Sequence, residues 1–203
     1  VDVSHISDKA FWQVMEISRT PVIASHSSLR HFTPGFQRNM SDEMLVAMAA
    51  RGGVIQINFG SSFLHKPARD WVAARVERAL ELKNRKNLPE GHPELMSFLE
   101  IYADLFPYPF ASVDNVLDHV DRAVAIAGID AVGIGSDYDG VGDTLPTGLK
   151  DVSAYPVLIK GLLDRGYTED DIAKILGGNT LRIWRAVESY ASSQGVEKQC
   201  TSG

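Results

Sequence analysis

The stretch VDVSH, residues 1–5, holds the pattern that decides the fold. Apolar and polar residues alternate from Val1 to Ser4 as in a short β-strand, and His5 follows where that strand ends. A helix is predicted directly afterwards, because Ser7 or Asp8 can cap its first turn. The chain thus begins with a βα unit whose strand ends on a histidine.

Three further segments repeat this order of strand and helix. Strands are predicted at residues 21–25 (PVIAS), 53–59 (GVIQINF) and 131–136 (AVGIGS), and a helix-like segment follows each of them. Such alternation favours parallel βα units, arranged either as a doubly wound sheet or as part of a barrel. No glycine-rich phosphate-binding loop opens a helix, which disfavours the nucleotide-binding form of the doubly wound fold.

The boundaries of the domain follow from charge and composition. Residues 64–110 are predicted as a helical excursion, in which the charged run 68–87 forms a solvated helix face. Asn179 is predicted to cap the last helix after two glycines. One domain is expected over residues 1–190, and the polar stretch 191–203 is expected to be a frayed tail.

Composition limits the classes of function. Of 203 residues, 44% are hydrophobic and 23% are charged, which is typical of a globular protein with a substantial core. The formal net charge of −6 disfavours nucleic acid and anionic lipid as partners. A single cysteine, Cys200 in the polar tail, excludes a disulfide framework. The sequence leaves the localisation of the protein open, since it contains neither an apolar span nor a signal-like segment.

Polar side chains follow the four predicted strands. They are His5, His26, Asn58 and Asp137, and each lies at a carboxyl end. In a parallel α/β barrel these ends converge on one face, where metal ligands and catalytic groups gather. Neutral imidazole suits zinc and a carboxylate can move protons, so a hydrolytic metal site is one interpretation. Hydrogen-bonded structural histidines and ordinary polar strand ends are the other.

Several segments resemble, in order and spacing, the C-terminal part of the membrane dipeptidase (renal dipeptidase) family. They are DVSH, IASHSS, RN followed by SDE, GGVIQINF, GIGSDYDG, GLKDVSAYP and GGNTLRI. The resemblance runs from residue 1 to about residue 190 and is weakest through residues 64–110. It implies a metal-dependent, amidohydrolase-like TIM-type (β/α)8 barrel, of which this chain supplies strands five to eight.

The resemblance also implies roles for individual residues. His5 and His26 match the two histidine ligands of one zinc ion in a site that holds two, and Asp137 matches the acid/base aspartate. Arg38 matches the arginine that binds the terminal carboxylate of the substrate. The remaining ligands of the family, an H-x-D pair and a bridging glutamate, belong to the N-terminal half of the barrel. That half is therefore the expected partner, without which this chain is expected to be unstable, and a homodimer is a further possibility.

The activity implied is that of a zinc metallopeptidase that hydrolyses dipeptides, including those with a C-terminal D-residue, and some β-lactams. Two alternatives stand beside it: a metal-dependent amidohydrolase acting on a non-peptide amide, and a non-catalytic half-barrel.

Other candidate residues have two interpretations each. Asn58 and Phe63 either line the substrate pocket or serve as a turn-forming amide and a core aromatic. Asp139 either supports Asp137 or hydrogen-bonds the loop backbone, and the alternative for Arg38 is a surface ion pair. Structural or surface roles are expected for the histidines away from strand ends, namely His31, His65, His92 and His119.

Overall fold

Three parallel strands form the sheet in the computed structural model, which describes residues 1–195. They are β1 (Ile23–Ser27), β2 (Val54–Ile57) and β3 (Val132–Ile134), and their spatial order is β1-β2-β3. Each begins one or two residues later than predicted. The α/β fold with a parallel sheet is therefore confirmed.

The first predicted strand forms only an edge segment. Asp2 pairs in parallel with Ile23, where the N–H of Val3 donates to the Ile23 carbonyl at 2.8 Å and the N–H of Ile23 donates to the Val1 carbonyl at 3.1 Å. The pairing stops at His5, whose φ of 67° turns the backbone into the left-handed region. Residues 1–4 thus lie beside β1 without forming a regular strand.

Helices connect and follow the strands. The helix after the edge segment is capped as expected, since the hydroxyl of Ser7 accepts from the N–H of Ala10, and the hydroxyl of Ser41 accepts from the N–H of Met44 in the same way. Within residues 1–195, no helix combines the length and the apolar character that crossing a bilayer requires. The α-helices are α1 (Asp8–Ile17), α2 (Asp42–Ala49), α3 (Ser61–Leu64), α4 (Lys66–Lys86), α5 (Pro93–Leu105), α6 (Val113–Ala127), α7 (Tyr155–Asp164), α8 (Glu169–Ala173) and α9 (Asn179–Ser193).

Both faces of β2 are covered. Ile55 and Ile57 are fully buried in the core that also contains apolar residues of α2 and α6. Gln56 points to the opposite face, because side chains alternate along a strand, and its amide donates to the hydroxyl of Thr180 in α9 at 2.7 Å. The last helix therefore contacts the face of the sheet that α2 and α6 leave free.

The C-terminal segment differs from its prediction. Asn179 does not cap α9, since its own backbone is helical and its amide is buried, donating to the carbonyls of Ile129 and Val132 at 2.8 Å each. These bonds tie α9 to the start of β3. The expected tail is helical as far as Ser193, and residues 196–203, including Cys200, lie outside the described part of the chain.

His119 in α6 is a structural residue, as expected. Its ring is completely buried: Nδ1 accepts from the N–H of Leu29 and Nε2 donates to the carbonyl of Leu64, both at 3.0 Å. Burial lowers the pKa of His119 to about 4. The neutral ring thus joins α6 to α3 and to the loop of residues 28–40, which carries Arg38.

The first prediction concerns the pH dependence of folding. Because the folded-state pKa of His119 is about 4 and the unfolded value is about 6.5, the unfolded chain binds the extra proton. The stability that His119 contributes is complete above pH 6.5 and is lost as pH falls towards 4, by up to about 3 kcal/mol. Urea unfolding at several pH values measures it. His119→Gln should be less stable at pH 7 and should lose less stability on acidification; an unchanged pH slope in this variant would contradict the assignment.

Candidate metal and substrate site

Two histidines meet at the carboxyl edge of the sheet. His26 lies in β1, His5 follows the edge segment, and their Nε2 atoms are 2.8 Å apart. The left-handed backbone of His5 is costly for a residue with a Cβ atom, and such conformations persist where the surrounding structure fixes them. Parallel pairing thus brings together two rings that are 21 positions apart in sequence.

The two imidazoles fit the requirements of a zinc ion. Burial, followed by the nearby charges of Arg38 and His26, lowers the pKa of His5, so that its ring is neutral at pH 7. Neutral imidazole binds zinc, and two nitrogens on one tetrahedral zinc lie about 3.3 Å apart, a separation that small ring rotations would reach here. Within residues 1–195, no group of three or more His, Cys, Asp or Glu side chains is placed to hold a metal. Two imidazoles are fewer than the four ligands that a tetrahedral zinc takes, so a zinc ion here would need further ligands.

The guanidinium of Arg38 contacts both histidines. Its Nη1 donates to the hydroxyl of Ser27 at 2.7 Å, and its Nη2 donates to the carbonyl of His26 at 2.8 Å. Nη2 also approaches Nε2 of His5 to 3.1 Å, so a metal bound to that nitrogen must displace this contact. The guanidinium stacks over the ring of Phe63, and its Nε is buried without a partner among the described residues. Within residues 1–195, Arg38 thus forms no ion pair, and its Nε is an unused donor.

Asp137 faces the histidines from the end of β3. Its φ of 57° is again left-handed, and the amide of Asn58 donates to its Oδ2 at 2.8 Å. Oδ1 has no hydrogen-bond partner within residues 1–195. A Cβ atom on Gly140 would lie 2.1 Å from Oδ1, so only glycine leaves room for the carboxylate in this turn. Asn58 and Gly140 together fix where the carboxylate points.

One cavity of about 310 Å³ contains most of the predicted site residues. Its wall includes His5, His26, Arg38, Phe63 and Asp137. The remaining wall residues were not predicted as site residues, and they come from α3 and from the loop after β3: Ser62, Gly140, Val141 and Thr144. A larger groove of about 630 Å³ lies along α4, but residues of that single helix line it and no histidine is among them.

Two predicted site residues lie outside the cavity wall. Asn58 is fully buried; its Oδ1 accepts from the N–H of Gly60 at 2.7 Å while its Nδ2 holds Asp137. It is thus both a turn-forming amide and a support for the carboxylate, rather than a surface for substrate. Asp139 is exposed and has no hydrogen bond or ion pair within residues 1–195, so its role in supporting Asp137 stays a prediction.

The remaining histidines lie away from the cavity. An H-x-D spacing does occur in the chain, at His119 and Asp121, but His119 is committed to backbone groups and Asp121 pairs with Arg165 at 2.5 Å. This spacing on an outer helix is therefore not a metal-binding pair. His31 is exposed, His65 donates to the carbonyl of Pro109, and His92 caps α5.

Comparison with known proteins gives a consistent result. The sequence model of the membrane dipeptidase family (Peptidase family M19) matches residues 1–198. An uncharacterized dipeptidase of Schizosaccharomyces pombe is 31% identical over 192 residues, which are 94% of this chain and 36% of that protein. The chain spans about a third of the length of the curated relatives it matches.

Solved structures show the same relationship. The probable dipeptidase PvdM from Pseudomonas aeruginosa superimposes with a TM-score of 0.74 at 33% identity, over 93% of this chain and 50% of that one. A metallopeptidase from Rhodobacter sphaeroides, solved with a phosphinate mimic of the dipeptide L-Ala-D-Ala, gives a TM-score of 0.67 at 26% identity, over 91% of this chain and 41% of that one. With a parallel sheet, paired histidines at its carboxyl edge and a family match along almost its whole length, the chain belongs to the membrane dipeptidase family, Peptidase family M19.

Proposed function

We propose that the protein is a zinc-dependent dipeptidase and that this chain forms strands five to eight of its (β/α)8 barrel. One observation carries the proposal: a single cavity contains two imidazoles, an arginine with an unused N–H and a carboxylate with a free oxygen. Family membership supports the same activity. The Rhodobacter sphaeroides relative, solved with a dipeptide mimic, supports dipeptides as the substrate class.

His5 and His26 would hold one of two zinc ions through their Nε2 atoms. Bound zinc supplies Lewis-acid polarisation of a carbonyl oxygen and makes water acidic enough to ionise near neutral pH. The other ligands must come from residues beyond this pair, because residues 1–195 hold no larger cluster of suitable side chains. The N-terminal half of the barrel is the proposed source, which agrees with the partial coverage of the relatives.

Asp137 would move the proton during hydrolysis. Its Oδ1 accepts a proton from the attacking water and delivers it to the nitrogen of the leaving amine, which is general base and then general acid catalysis. Oδ2 is held by the amide of Asn58, so the carboxylate has a fixed orientation and one oxygen for the transfer. The left-handed backbone at Asp137 and the small Gly140 keep that oxygen at the cavity.

Arg38 would select the substrate by its terminal carboxylate. A carboxylate that accepts from Nε would pair the donor that is now buried without a partner, and leaving such a donor unpaired is costly. An arginine this close to the histidine pair leaves space for one residue beyond the scissile bond, which favours dipeptides. Dipeptides with a C-terminal D-residue are included in the proposed range, and some β-lactams are included on family resemblance alone.

The second prediction concerns the metal. His26→Ala removes one of the two nitrogens that this chain provides, so the complete enzyme should lose about one zinc equivalent per active site. Atomic absorption on the purified protein measures this loss. His31→Ala is the matched control, since His31 is exposed and away from the cavity. Unchanged zinc in a folded His26→Ala protein would rule out ligation.

The third prediction concerns Asp137. Asp137→Asn keeps the size of the side chain but cannot accept a proton at neutral pH, so kcat should fall by about 10²-fold or more while most of the zinc remains. Asp143→Asn is the control, because Asp143 is an exposed carboxylate in the same loop and lies outside the cavity wall. Near-normal turnover by zinc-loaded Asp137→Asn would show that another group carries the proton.

The fourth prediction separates a dipeptidase from an amidohydrolase that acts on other amides. A dipeptide with a free C-terminus should have a kcat/KM about 10- to 100-fold above that of its C-terminally amidated form, the value of hydrogen bonds to a charged group. In Arg38→Met the ratio should fall close to one. General damage from losing the bonds to Ser27 and His26 would lower kcat/KM for both substrates alike, so it would leave the ratio unchanged. Equal cleavage of both substrates by the unaltered enzyme would favour the amidohydrolase.

A further inference from the structure

Asp2 is an ionised acceptor at the edge of the sheet. Its Oδ1 accepts from the backbone N–H groups of Ser4 at 2.9 Å and Ser25 at 3.1 Å, and its Oδ2 accepts from the hydroxyl of Ser25 at 2.5 Å. Burial acts to raise the pKa of Asp2, but these hydrogen bonds outweigh it, and the pKa lies below its ordinary value. The carboxylate of Asp2 therefore has no proton to donate, and each of its hydrogen-bond partners must be the donor.

The direction of the hydrogen bonds at Ser25 follows. A hydroxyl has one proton, and the 2.5 Å contact with Asp2 requires that Ser25 donate it there. The same Oγ lies 2.7 Å from Nδ1 of His26. Because the hydroxyl proton points to Asp2, Oγ can only accept a hydrogen bond from that nitrogen. Nδ1 of His26 must then carry the proton and donate to Ser25. In a neutral ring this leaves Nε2 as the unprotonated nitrogen.

We propose that Asp2 and Ser25 form a carboxylate–hydroxyl relay that fixes His26 as the Nδ1–H tautomer and so presents the lone pair of its Nε2 to the position shared with His5. This inference rests on the proposed function, in which His26 binds zinc through Nε2. Asp2 and Ser25 are positioning residues. Neither of them lies in the wall of the cavity.

The two histidines differ in how firmly they are held. His26 is fixed through Nδ1, and the N–H of its backbone donates to the hydroxyl of Ser4 at 3.1 Å. Nδ1 of His5 makes no hydrogen bond with any described residue, so the ring of His5 is held only through its Nε2. Nε2 of His5 lies 2.8 Å from Nε2 of His26 and 3.1 Å from Nη2 of Arg38, which can only donate, so a bound cation would take the place of both contacts. One ring is therefore fixed through its second nitrogen, and the other is not.

Asp2→Asn gives a sharp test because it should reverse the relay. The position of Oδ1 faces two N–H donors, so the amide oxygen must occupy it and the NH₂ group must face Ser25. The NH₂ group then donates to the hydroxyl, and the hydroxyl turns its proton to Nδ1 of His26. The neutral ring is forced into the Nε2–H tautomer, in which the metal-binding nitrogen is blocked.

The experiment uses the complete enzyme, purified and freed of metal. Two-bond ¹H–¹⁵N correlation spectra at mildly alkaline pH identify the tautomer of His26, and competition with a chelator gives the dissociation constant for Zn²⁺ alone. We expect the Nδ1–H tautomer in the unaltered protein, the Nε2–H tautomer in Asp2→Asn, and a mixture in Ser25→Ala. Both variants should bind Zn²⁺ about 10- to 100-fold more weakly, the usual effect of losing a partner of a metal-binding histidine.

Two further variants separate the relay from general damage. Ser25→Thr keeps the hydroxyl on a strand and should restore both the tautomer and the affinity. Ser28→Ala is the matched control, since its buried hydroxyl donates to the carbonyl of Asn58 and contacts neither histidine. The relay is overturned if Asp2→Asn leaves His26 as Nδ1–H, or if Ser25→Ala binds Zn²⁺ as tightly as Ser28→Ala does. An unaltered protein with the Nδ1–H tautomer but no affinity for Zn²⁺ supports the relay and contradicts the zinc dipeptidase.

Discussion

Parallel backbone pairing between the edge segment and the three strands is the constraint on which the site depends. Asp2 pairs with Ile23, β1 pairs with β2, and β2 pairs with β3. Since all four segments run in the same direction, the residues that follow them leave at one edge. The histidine pair and Asp137 meet there although the chain between them includes a long helical segment. A reversed strand would send one of these groups to the opposite edge of the sheet.

Buried polar side chains hold the loops that this edge needs. Asn39 accepts from the N–H of Ser28 and donates to the hydroxyl of Thr33 and the carbonyl of Phe63, which links the loop of Arg38 to the loop of Phe63. His119 fixes the same two regions through hydrogen bonds with the N–H of Leu29 and the carbonyl of Leu64. Because buried polar groups are costly when unpaired, these bonds allow few alternative loop arrangements. The wall of the cavity is therefore determined by polar contacts as much as by apolar packing.

Strain and charge are concentrated at the same place. His5 and Asp137 both have left-handed backbones, which are uncommon for residues other than glycine. A half-buried guanidinium contacts His5, and a fully buried amide supports the carboxylate of Asp137. Each of these features costs stability, and their concentration around one cavity is typical of a functional site.

Local patterns in the sequence determined the βα order, the helix cap at Ser7, and the placement of histidine and aspartate at strand ends. Apolar periodicity and capping act over a few residues, so they can be read without knowing the fold. Five of the seven predicted site residues lie in the wall of one cavity. The other two lie outside the wall, Asn58 because it is buried and Asp139 because it is exposed.

Only the tertiary structure decided which atoms the polar side chains contact. Asn179 was predicted to cap a helix and instead binds carbonyls 50 and 47 positions away, and Asn58 reaches Asp137 across 79 positions. The contact of Asp2 with Ser25 spans 23 positions and exists only because the edge segment pairs with β1. Such contacts depend on sheet register, because a shift of one residue would turn each side chain to the other face. The residue types determine which chemical groups this chain contains, and the register of the sheet determines which of those groups come into contact.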